Sequence, residues 1–348
     1  MIAFVRFLSL CCLIGLASGL LVNQPELAAA EGDVIKVGII GLDTSHVPSF
    51  TKTFNVENSE PDVAGFQVVA AYPQGSTVIE SSYSRIPKYT EEVKAMGVEI
   101  VGSIDELIEK VDVVMLETND GNPHLEQVLP CLKAGKLTFI DKPIAGSLAD
   151  TLAIFKASEI YKTPVFSSSS LRYSPGAQEI RGGAIGDVLG CDAYSPASLD
   201  STHPDLYWYG IHGVETLFTC MGAGCESVVR TQTENFEQVT GVWSGGRIGT
   251  FRGIRDGASG YGGTAFGSKQ IREIGKYAGY RPLVVEIAKF YKTGESPVPN
   301  EETIQIYAFM AAADESKAQG GKPVMIKDVM DKAAADADAR LKELGVIK

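Results

Sequence analysis

The sequence lacks the features that identify several large classes of protein. No stretch rich in Lys and Arg runs along the 348 residues, and 43 Asp and Glu residues outnumber 31 Lys and Arg residues. Binding to nucleic acid or to an anionic membrane surface needs a basic surface, so the formal net charge of -12 argues against both partners. Repeated apolar runs of membrane-spanning length are also missing, although 45% of the residues are hydrophobic. These properties indicate a globular protein with room for about two domains.

Cysteine spacings typical of zinc sites or of redox motifs are missing as well. None of the 6 cysteines forms a CxxC pair, and Cys11 and Cys12 lie in an N-terminal apolar run. Cys220 and Cys225 have two possible states in an oxidising compartment, a disulfide across the intervening turn or two buried free thiols. The sequence leaves both alternatives open.

The N-terminal residues 1–30 are typical of a secretory signal peptide. Arg6 precedes an apolar run over residues 7–21, and Ala28-Ala29-Ala30 forms an A-x-A cleavage pattern before Glu31. The alternative is a membrane anchor, for which the run is short because a span needs roughly 20 apolar residues. We therefore expect removal of residues 1–30, export to the periplasm or the outside of the cell, and no membrane attachment after processing.

Short apolar runs alternate with amphipathic segments after the signal peptide, which predicts alternating strands and helices. The predicted strands cover residues 34–40, 67–71, 98–101, 112–116, 137–140 and 164–166, and the predicted helices cover residues 90–96, 104–110, 124–134 and 148–161. Such alternation is typical of an α/β fold with a doubly wound parallel sheet. We expect a Rossmann-type nucleotide-binding domain over residues 33–170.

Hairpin patterns replace this alternation from residue 171 onward. Residues 239–243 and 248–255 predict two strands around a Ser-Gly-Gly turn, with residues 227–233 as a neighbouring strand. Helices are predicted over residues 213–221, 283–293 and 303–319, and we expect the first two to cover one face of this sheet. Residues 171–348 therefore predict an α+β substrate and oligomerisation domain with an open, mainly antiparallel sheet. A second subunit commonly covers such a face, so we expect a homo-oligomer.

Five motifs in a fixed order give the chain a resemblance to a known family. They are VGIIG at residues 37–41, VDVVMLETNDGNPH at 111–124, GKLTFIDKP at 135–143, LRYSP at 171–175 and YGIHGVE at 209–215. Their order and spacing are similar to those of the Gfo/Idh/MocA oxidoreductases. The resemblance covers nearly the whole chain after the signal peptide. It implies an NAD(P)-dependent oxidoreductase that acts on a sugar, cyclitol or related polyol in a cleft between two domains.

The same resemblance implies which residues react. Hydride transfer from a carbon that bears a hydroxyl needs a base for the hydroxyl proton and a cation for the developing alkoxide. His212 is the predicted base and Lys142 the predicted cation, against the plainer alternatives of a helix-capping His and a surface Lys. Glu215 lies one helical turn after His212 and is predicted to orient the imidazole or to hold a substrate hydroxyl. Arg172 and Tyr209 are predicted to bind substrate together with Lys142 and His212.

Predicted contacts to NAD or NADP lie at the carboxyl ends of strands. They are Gly38, Gly41, Asp43, Thr44, Ser45 and His46 in and after the first strand, Thr118, Asn119 and His124 after the fourth, and Asp141 after the fifth. Asp43 and His46 stand where a dinucleotide fingerprint usually has glycine. A carboxylate at Asp43 would repel a diphosphate by about 1 kcal/mol in water and by more in a dry cleft. The repulsion is avoided if the side chain turns away to cap the following helix.

Two functional hypotheses remain open from the sequence. The first is an NAD(P)-dependent oxidoreductase whose phosphate turn accommodates Asp43. The second is a cofactor-free exported protein that binds carbohydrate, or performs other chemistry, in the same cleft. A metal-binding form of the second would use His46, His124 and His212 with Asp43 or Glu215. Nothing in the sequence shows that these residues converge, and roles at helix ends are favoured for His46 and His124, so no metal site is predicted.

Overall fold

The computed structural model describes residues 34–348. The predicted signal peptide, residues 1–30, and the alternative membrane anchor lie outside the described residues. None of the helices between residues 34 and 348 is both long enough and apolar enough to cross a membrane.

Six parallel strands form the first sheet in the order β3-β2-β1-β4-β5-β6. Their bounds are β1 (Ile35–Ile40), β2 (Phe66–Tyr72), β3 (Glu99–Ile100), β4 (Val113–Leu116), β5 (Thr138–Ile140) and β6 (Val165–Phe166). All residues of β4 and β5 are buried, because helices cover both faces of the sheet. The strand order reverses between β1 and β4, which is the position where doubly wound folds bind their ligands. The predicted Rossmann-type sheet is confirmed.

Six helices connect these strands. They are α1 (His46–Asn55), α2 (Glu80–Tyr83), α3 (Ile86–Ala95), α4 (Ile104–Lys110), α5 (His124–Lys133) and α6 (Leu148–Tyr161). Serine caps determine where α4 and α6 begin, since the side chains of Ser103 and Ser147 accept hydrogen bonds from the backbone N–H groups of Glu106 and Asp150.

Seven strands form the second sheet in the order β12-β11-β7-β10-β9-β8-β13. Their bounds are β7 (Val188–Pro196), β8 (Cys225–Gln232), β9 (Phe236–Trp243), β10 (Arg247–Ile254), β11 (Gly262–Gly267), β12 (Ile271–Glu273) and β13 (Val324–Met325). Only β7 and β10 pair in parallel among the described strands of this sheet, which confirms the predicted antiparallel character. The β9–β10 hairpin turns through Gly245 and Gly246, both at a φ of 76° that favours glycine.

The remaining helices are α7 (Pro175–Arg181), α8 (Ile211–Met221), α9 (Arg281–Thr293), α10 (Asn300–Ala318) and α11 (Ile326–Glu343). Every residue of α8 is buried, and this helix packs on β7 and β10 as predicted. The prediction that α9 also covers the second sheet is wrong. Leu283 and Ile287 of α9 lie in the apolar core of the first sheet, and the Tyr291 hydroxyl donates to the backbone oxygen of Val114 at 2.6 Å.

The cysteines within residues 34–348 are buried free thiols. Cys220 at the end of α8 and Cys225 at the start of β8 are among them, so the structure favours free thiols over a disulfide.

Candidate active site

A cavity of about 340 Å³ lies at the carboxyl edge of the first sheet, against the second sheet and α8. The first half of the chain contributes the start of α1 together with residues that follow β2, β4 and β5. These residues are Thr44, Ser45, His46, Ser81, Arg85, Asn119 and Lys142. The second half contributes Ser170, Leu171, Ser198, Trp208, Tyr209, His212, Tyr261, Tyr277 and Tyr280. The structure therefore brings Lys142, His212 and Tyr209 together with the phosphate turn.

The charge of the cavity is opposite to that of the whole chain. Its lining includes two cationic side chains, Arg85 and Lys142, and no acidic one among the residues that the structure describes. Within residues 34–348 neither cation takes part in an ion pair. In a chain of net charge -12, a cationic cavity favours a ligand that carries negative charge.

The amino end of α1 adds to this positive character. The preceding turn needs glycine at position 41, because its φ is +88° and a Cβ there would lie 2.5 Å from the backbone nitrogen of Thr118. The side chain of Ser45 does not cap α1, and no acidic residue occupies its first turn. The His46 N–H lies 3.5 Å from the Thr44 hydroxyl, and the Val47 N–H donates to the backbone oxygen of Thr44 at 3.3 Å. Because Pro48 in the first turn has no N–H, the helix dipole rather than free amide groups favours an anion at this terminus. The turn thus keeps an open helix end although two of its three fingerprint glycines are replaced.

Asp43 does not point into this helix end. Its fully buried carboxylate accepts hydrogen bonds from the backbone nitrogens of Ser76 at 2.8 Å and Asn119 at 2.9 Å. Gly75 packs directly on it, since a Cβ at that position would lie 2.6 Å from the carboxylate. Burial raises the pKa of Asp43, and the two amide hydrogen bonds oppose that rise. The expected cap of α1 by Asp43 is wrong, and so is the premise that this carboxylate lies open to a diphosphate.

His46 occupies the position of the third fingerprint glycine and is tightly held. Its ring stacks on Phe50 at 5.2 Å and meets Tyr280 edge-on at 4.6 Å, while Nδ1 lies 2.7 Å from Oδ2 of Asp141. Burial alone would raise the pKa of Asp141, but His46 and Lys142 lower it below its ordinary value. Asp141 is fully buried against His46 and does not line the cavity. Its predicted direct contact with a cofactor is therefore not supported.

Three other residues predicted to contact the cofactor serve the fold instead. Gly38 lets α4 pack on β1, because a Cβ there would lie 3.0 Å from both Leu107 and Val111. The Thr118 hydroxyl donates to the backbone oxygen of Gln74 at 3.3 Å. His124 is fully buried between the backbone oxygens of Thr118 at 2.7 Å and Ile144 at 3.2 Å. None of the three lines the cavity, so the structure assigns them these structural contacts.

Lys142 and His212 reach the cavity from the two halves of the chain. Lys142 follows β5 and precedes a cis peptide bond to Pro143, and His212 lies in the first turn of α8. Burial lowers the pKa of His212 well below its ordinary value of 6.5, and the positive charges at Lys142 and His46 lower it further. The imidazole is therefore neutral at neutral pH and able to accept a proton.

A serine that the sequence prediction missed orients His212. The Ser169 hydroxyl lies 2.7 Å from Nδ1 of His212, and it also accepts from the backbone nitrogen of Leu171 at 3.2 Å. In the tautomer that donates Nδ1–H to Ser169, the other ring nitrogen is free to act as a base. Ser169 lies in a run of four serines over residues 167–170, and that composition alone does not indicate such a role.

Glu215 and Arg172 form a buried ion pair away from the cavity. Arg172 is 2% exposed and contacts both Glu215 and Glu302, the latter at 2.6 Å. The Ser168 hydroxyl donates to Glu215 at 3.1 Å. The prediction that Glu215 orients His212 is wrong, because its carboxylate neutralises Arg172. The same pairing leaves Arg172 unable to bind substrate as predicted.

Four tyrosines form a wall of the cavity next to His212. Tyr209 meets the His212 ring edge-on at 5.1 Å and accepts a hydrogen bond from the Tyr261 hydroxyl at 3.1 Å. Tyr277 and Tyr280 continue this wall, with ring centroids 6.1 Å apart. Rings that carry hydroxyl groups offer both apolar faces and hydrogen-bonding groups. Only Tyr209 was predicted, because the other three follow β10 and β12 in segments without a periodic pattern.

Comparisons with known proteins agree with this geometry. Residues 35–167 match a family model described as an oxidoreductase family with an NAD-binding Rossmann fold. Inositol 2-dehydrogenase 3 of Saccharopolyspora erythraea is 28% identical over 193 residues, which are 53% of this chain and 51% of that protein. The chain thus spans about half the length of the curated relatives that it matches.

Solved structures share the fold of almost the whole described chain. A probable dehydrogenase from Thermotoga maritima superposes with a TM-score of 0.68 at 20% identity, covering 85% of this chain and 100% of that one. A scyllo-inositol dehydrogenase from Lactobacillus casei, crystallised with NAD(H) and scyllo-inositol, gives a TM-score of 0.67 at 16% identity, with 85% and 100% covered. These matches confirm the predicted architecture.

Proposed function

Because residues 35–167 of this chain match the Gfo/Idh/MocA oxidoreductase family model, we propose that the protein is an NAD(P)-dependent dehydrogenase of a cyclic polyol such as a cyclitol or a sugar. One observation carries the proposal. The amino end of α1, Lys142 and the neutral His212 all open into the same cavity. The inositol dehydrogenases among its relatives and structural neighbours support the substrate class.

The residues of the phosphate turn fit a dinucleotide despite their departures from the glycine fingerprint. The backbone at Thr44, Ser45 and the first turn of α1 would hold the diphosphate, with Asn119 and Arg85 on the same cavity wall. The carboxylate of Asp43 is bound to two amides on the other side of the turn. The cofactor-free alternative is not favoured, because its main support was a repulsive charge at Asp43.

Oxidation of a carbon that bears a hydroxyl removes a hydride from carbon and a proton from oxygen, leaving a carbonyl group. Bound NAD(P)+ supplies the hydride acceptor. His212 accepts the hydroxyl proton, since burial keeps its ring neutral and Ser169 contacts its other nitrogen. The Lys142 ammonium stabilises the negative charge that develops on the substrate oxygen, and it is free for this because no described carboxylate pairs with it.

The tyrosine wall supports a ring-shaped polyol as the substrate. The four tyrosines and the serines Ser170 and Ser198 surround the opening next to His212. Aromatic faces pack against the apolar C–H face of a sugar or cyclitol ring, while hydroxyl groups bond to its equatorial oxygens. A cavity of this composition suits an uncharged, hydroxyl-rich ring better than an apolar ligand.

The test is turnover of a polyol panel with NAD+ and NADP+, containing myo-inositol, scyllo-inositol and common hexoses. Lys142→Ala and His212→Ala should each lower kcat by about 10² or more, the usual effect of losing a positioned acid or base. Lys88→Ala is the matched control, because Lys88 is 73% exposed and does not line the cavity. If the purified protein binds neither nucleotide, or if either variant keeps full turnover, the proposal fails.

We also propose self-association through the open face of the second sheet, and export through the N-terminal pattern. Five large apolar side chains on the open face of this sheet are exposed in the single chain, namely Tyr194, Val242, Ile248, Phe266 and Ile271. Apolar side chains gathered on one sheet face indicate an interaction surface. A second copy of the chain is the simplest cover for it.

A further inference from the structure

A buried glutamate without a described partner lies within 4.8 Å of His46, a residue of the cavity lining. Glu117 follows β4 and is 0% exposed, and neither of its carboxylate oxygens has a hydrogen-bond partner within residues 34–348. A buried carboxylate without a partner is among the most costly groups in a folded protein. The site therefore requires either a proton on Glu117 or a cation next to it.

Two further potential ligands surround this carboxylate. One ring nitrogen of His46 and one carboxylate oxygen each from Glu117 and Asp141 all lie within 4.8 Å of one another. Oδ2 of Asp141 contacts His46, whereas Oδ1 has no partner among the described residues. Three carboxylate oxygens of this cluster are thus without a hydrogen bond.

The fold brings the three residues together at the strand-order switch point. Leu116 of β4 pairs with Ile140 of β5, so the next residue on each strand, Glu117 and Asp141, leave the sheet side by side. His46 begins α1 after β1, which pairs with β4 on its other side. Side chains from three separate segments therefore meet at one point, as they commonly do in metal sites.

The charges of the cluster are unbalanced. Two carboxylates stand beside one imidazole, and the ammonium of Lys142 lies beyond ion-pair distance from both, within the described part of the chain. A bound cation would supply the missing positive charge.

We propose that His46, Glu117 and Asp141 bind a divalent transition-metal ion of the Zn²⁺ or Mn²⁺ class. An imidazole with two carboxylates suits these ions better than Mg²⁺ or Ca²⁺, which prefer oxygen ligands alone. Ligand atoms about 2.1 Å from a common ion lie at most about 4.2 Å apart, so the cluster needs to contract by less than 1 Å or so. His46 lines the cavity, which gives the ion a route of entry. The proposal goes beyond the dehydrogenase function and does not depend on it.

The test is metal binding to the purified protein, measured without turnover. After treatment with a chelator, the protein is titrated with Zn²⁺ or Mn²⁺ by calorimetry, and the metal content is determined by mass spectrometry. The wild type should bind one ion per chain. Glu117→Gln and Asp141→Asn should each weaken binding by about 10² or more, since loss of residues that only support metal ligands already costs 10- to 100-fold. Glu99→Gln, at an exposed carboxylate of β3, should bind as the wild type does.

Thermal unfolding separates a lost ligand from a lost fold. Without metal, Glu117→Gln should unfold at about the Tm of the wild type, because neither carboxylate oxygen of Glu117 has a hydrogen bond to lose among the described residues. Saturating metal should raise the Tm of the wild type by about 3 °C or more and leave the Tm of Glu117→Gln unchanged. Equal metal binding by all the proteins, or none by the wild type, would overturn the proposal. A parallel NAD(P) titration reports on the dehydrogenase function separately.

Discussion

Replacement of Asp43 by glycine should not restore nucleotide affinity, although it restores the glycine fingerprint. The carboxylate is fully buried and accepts two backbone hydrogen bonds, from Ser76 at 2.8 Å and from Asn119 at 2.9 Å. These bonds join the loops after β2 and β4 to the phosphate turn. Asp43→Gly removes the acceptor of both and leaves two amide donors unsatisfied, which costs roughly 1 to 3 kcal/mol for each bond. The desolvation cost of the buried carboxylate offsets part of this loss, so we expect a net destabilisation of about 2 to 4 kcal/mol.

The assay combines urea unfolding with nucleotide titration at two salt concentrations. Asp43→Asn is the matched control, because it keeps one acceptor oxygen and the side-chain volume but removes the charge. We expect it to lose about half as much stability as Asp43→Gly, or roughly 1 to 2 kcal/mol. Neither variant should bind NAD(P) more tightly than the wild type. A tenfold or greater gain in affinity for Asp43→Gly, larger at low salt and without loss of stability, would refute this reasoning, because only a carboxylate next to the phosphates produces it.

Four further outcomes follow from the same geometry. Ser169→Ala should lower kcat by about tenfold with little change in Tm, because His212 loses the contact to Nδ1 at 2.7 Å; unchanged kcat would mean that the contact has no catalytic role. Arg85→Ala should weaken NADP binding by about five- to tenfold and NAD binding by less. The reason is that Arg85 follows β2, and the end of this strand contacts the ribose in Rossmann-type folds. Equal losses of NAD and NADP affinity would assign Arg85 to the diphosphate. Ile248→Asp should shift the wild-type oligomer towards monomer in light scattering, because Ile248 is 53% exposed on the open face of the second sheet. If the wild type is itself a monomer, self-association through this face is contradicted. Burial lowers the folded-state pKa of His124, His203 and His212, so the stability that their neutral rings contribute should be lost as the pH drops below 6.5. An NMR titration of the imidazole C–H signals should show a pKa below 6.5 for all three rings in the folded protein, and values at or above 6.5 would contradict this assignment.

The sequence allowed most of the first sheet to be predicted, and less of the second. The buried parallel strands are short apolar runs, and α6 was predicted at its observed bounds because Ser147 caps it. β7 was missed because its sequence, VLGCDAYSP, contains Gly, Asp and Pro and is only partly buried. The apolar face of α9 indicated that the helix packs on a sheet, but its periodicity does not indicate which of the two sheets it covers.

Some features of the candidate site could be predicted from the sequence, and others could not. Lys142 and His212 were predictable because each stands in a motif with a fixed neighbourhood. The direction of the Asp43 side chain was not, since it depends on backbone donors 33 and 76 residues further along the chain. Pairing of Glu215 with Arg172 depends likewise on a contact across 43 residues. Local spacing supplied the residue types, whereas their partners were set by tertiary packing.

The position of α9 has a consequence for the order in which the chain can fold during synthesis. Leu283, Ile287 and Phe290 are fully buried in the core that also contains Val37 and Phe139 of the first sheet. Until residue 293 has been made, the part of that face that α9 covers beside α1 stays exposed, although all six strands end by residue 166. A nascent chain therefore exposes an apolar surface for more than a hundred residues of translation, the period in which chaperones bind and aggregation begins. A fragment that ends at residue 170 lacks α9 and would keep that surface permanently exposed. The nucleotide-binding half is therefore not expected to fold stably on its own.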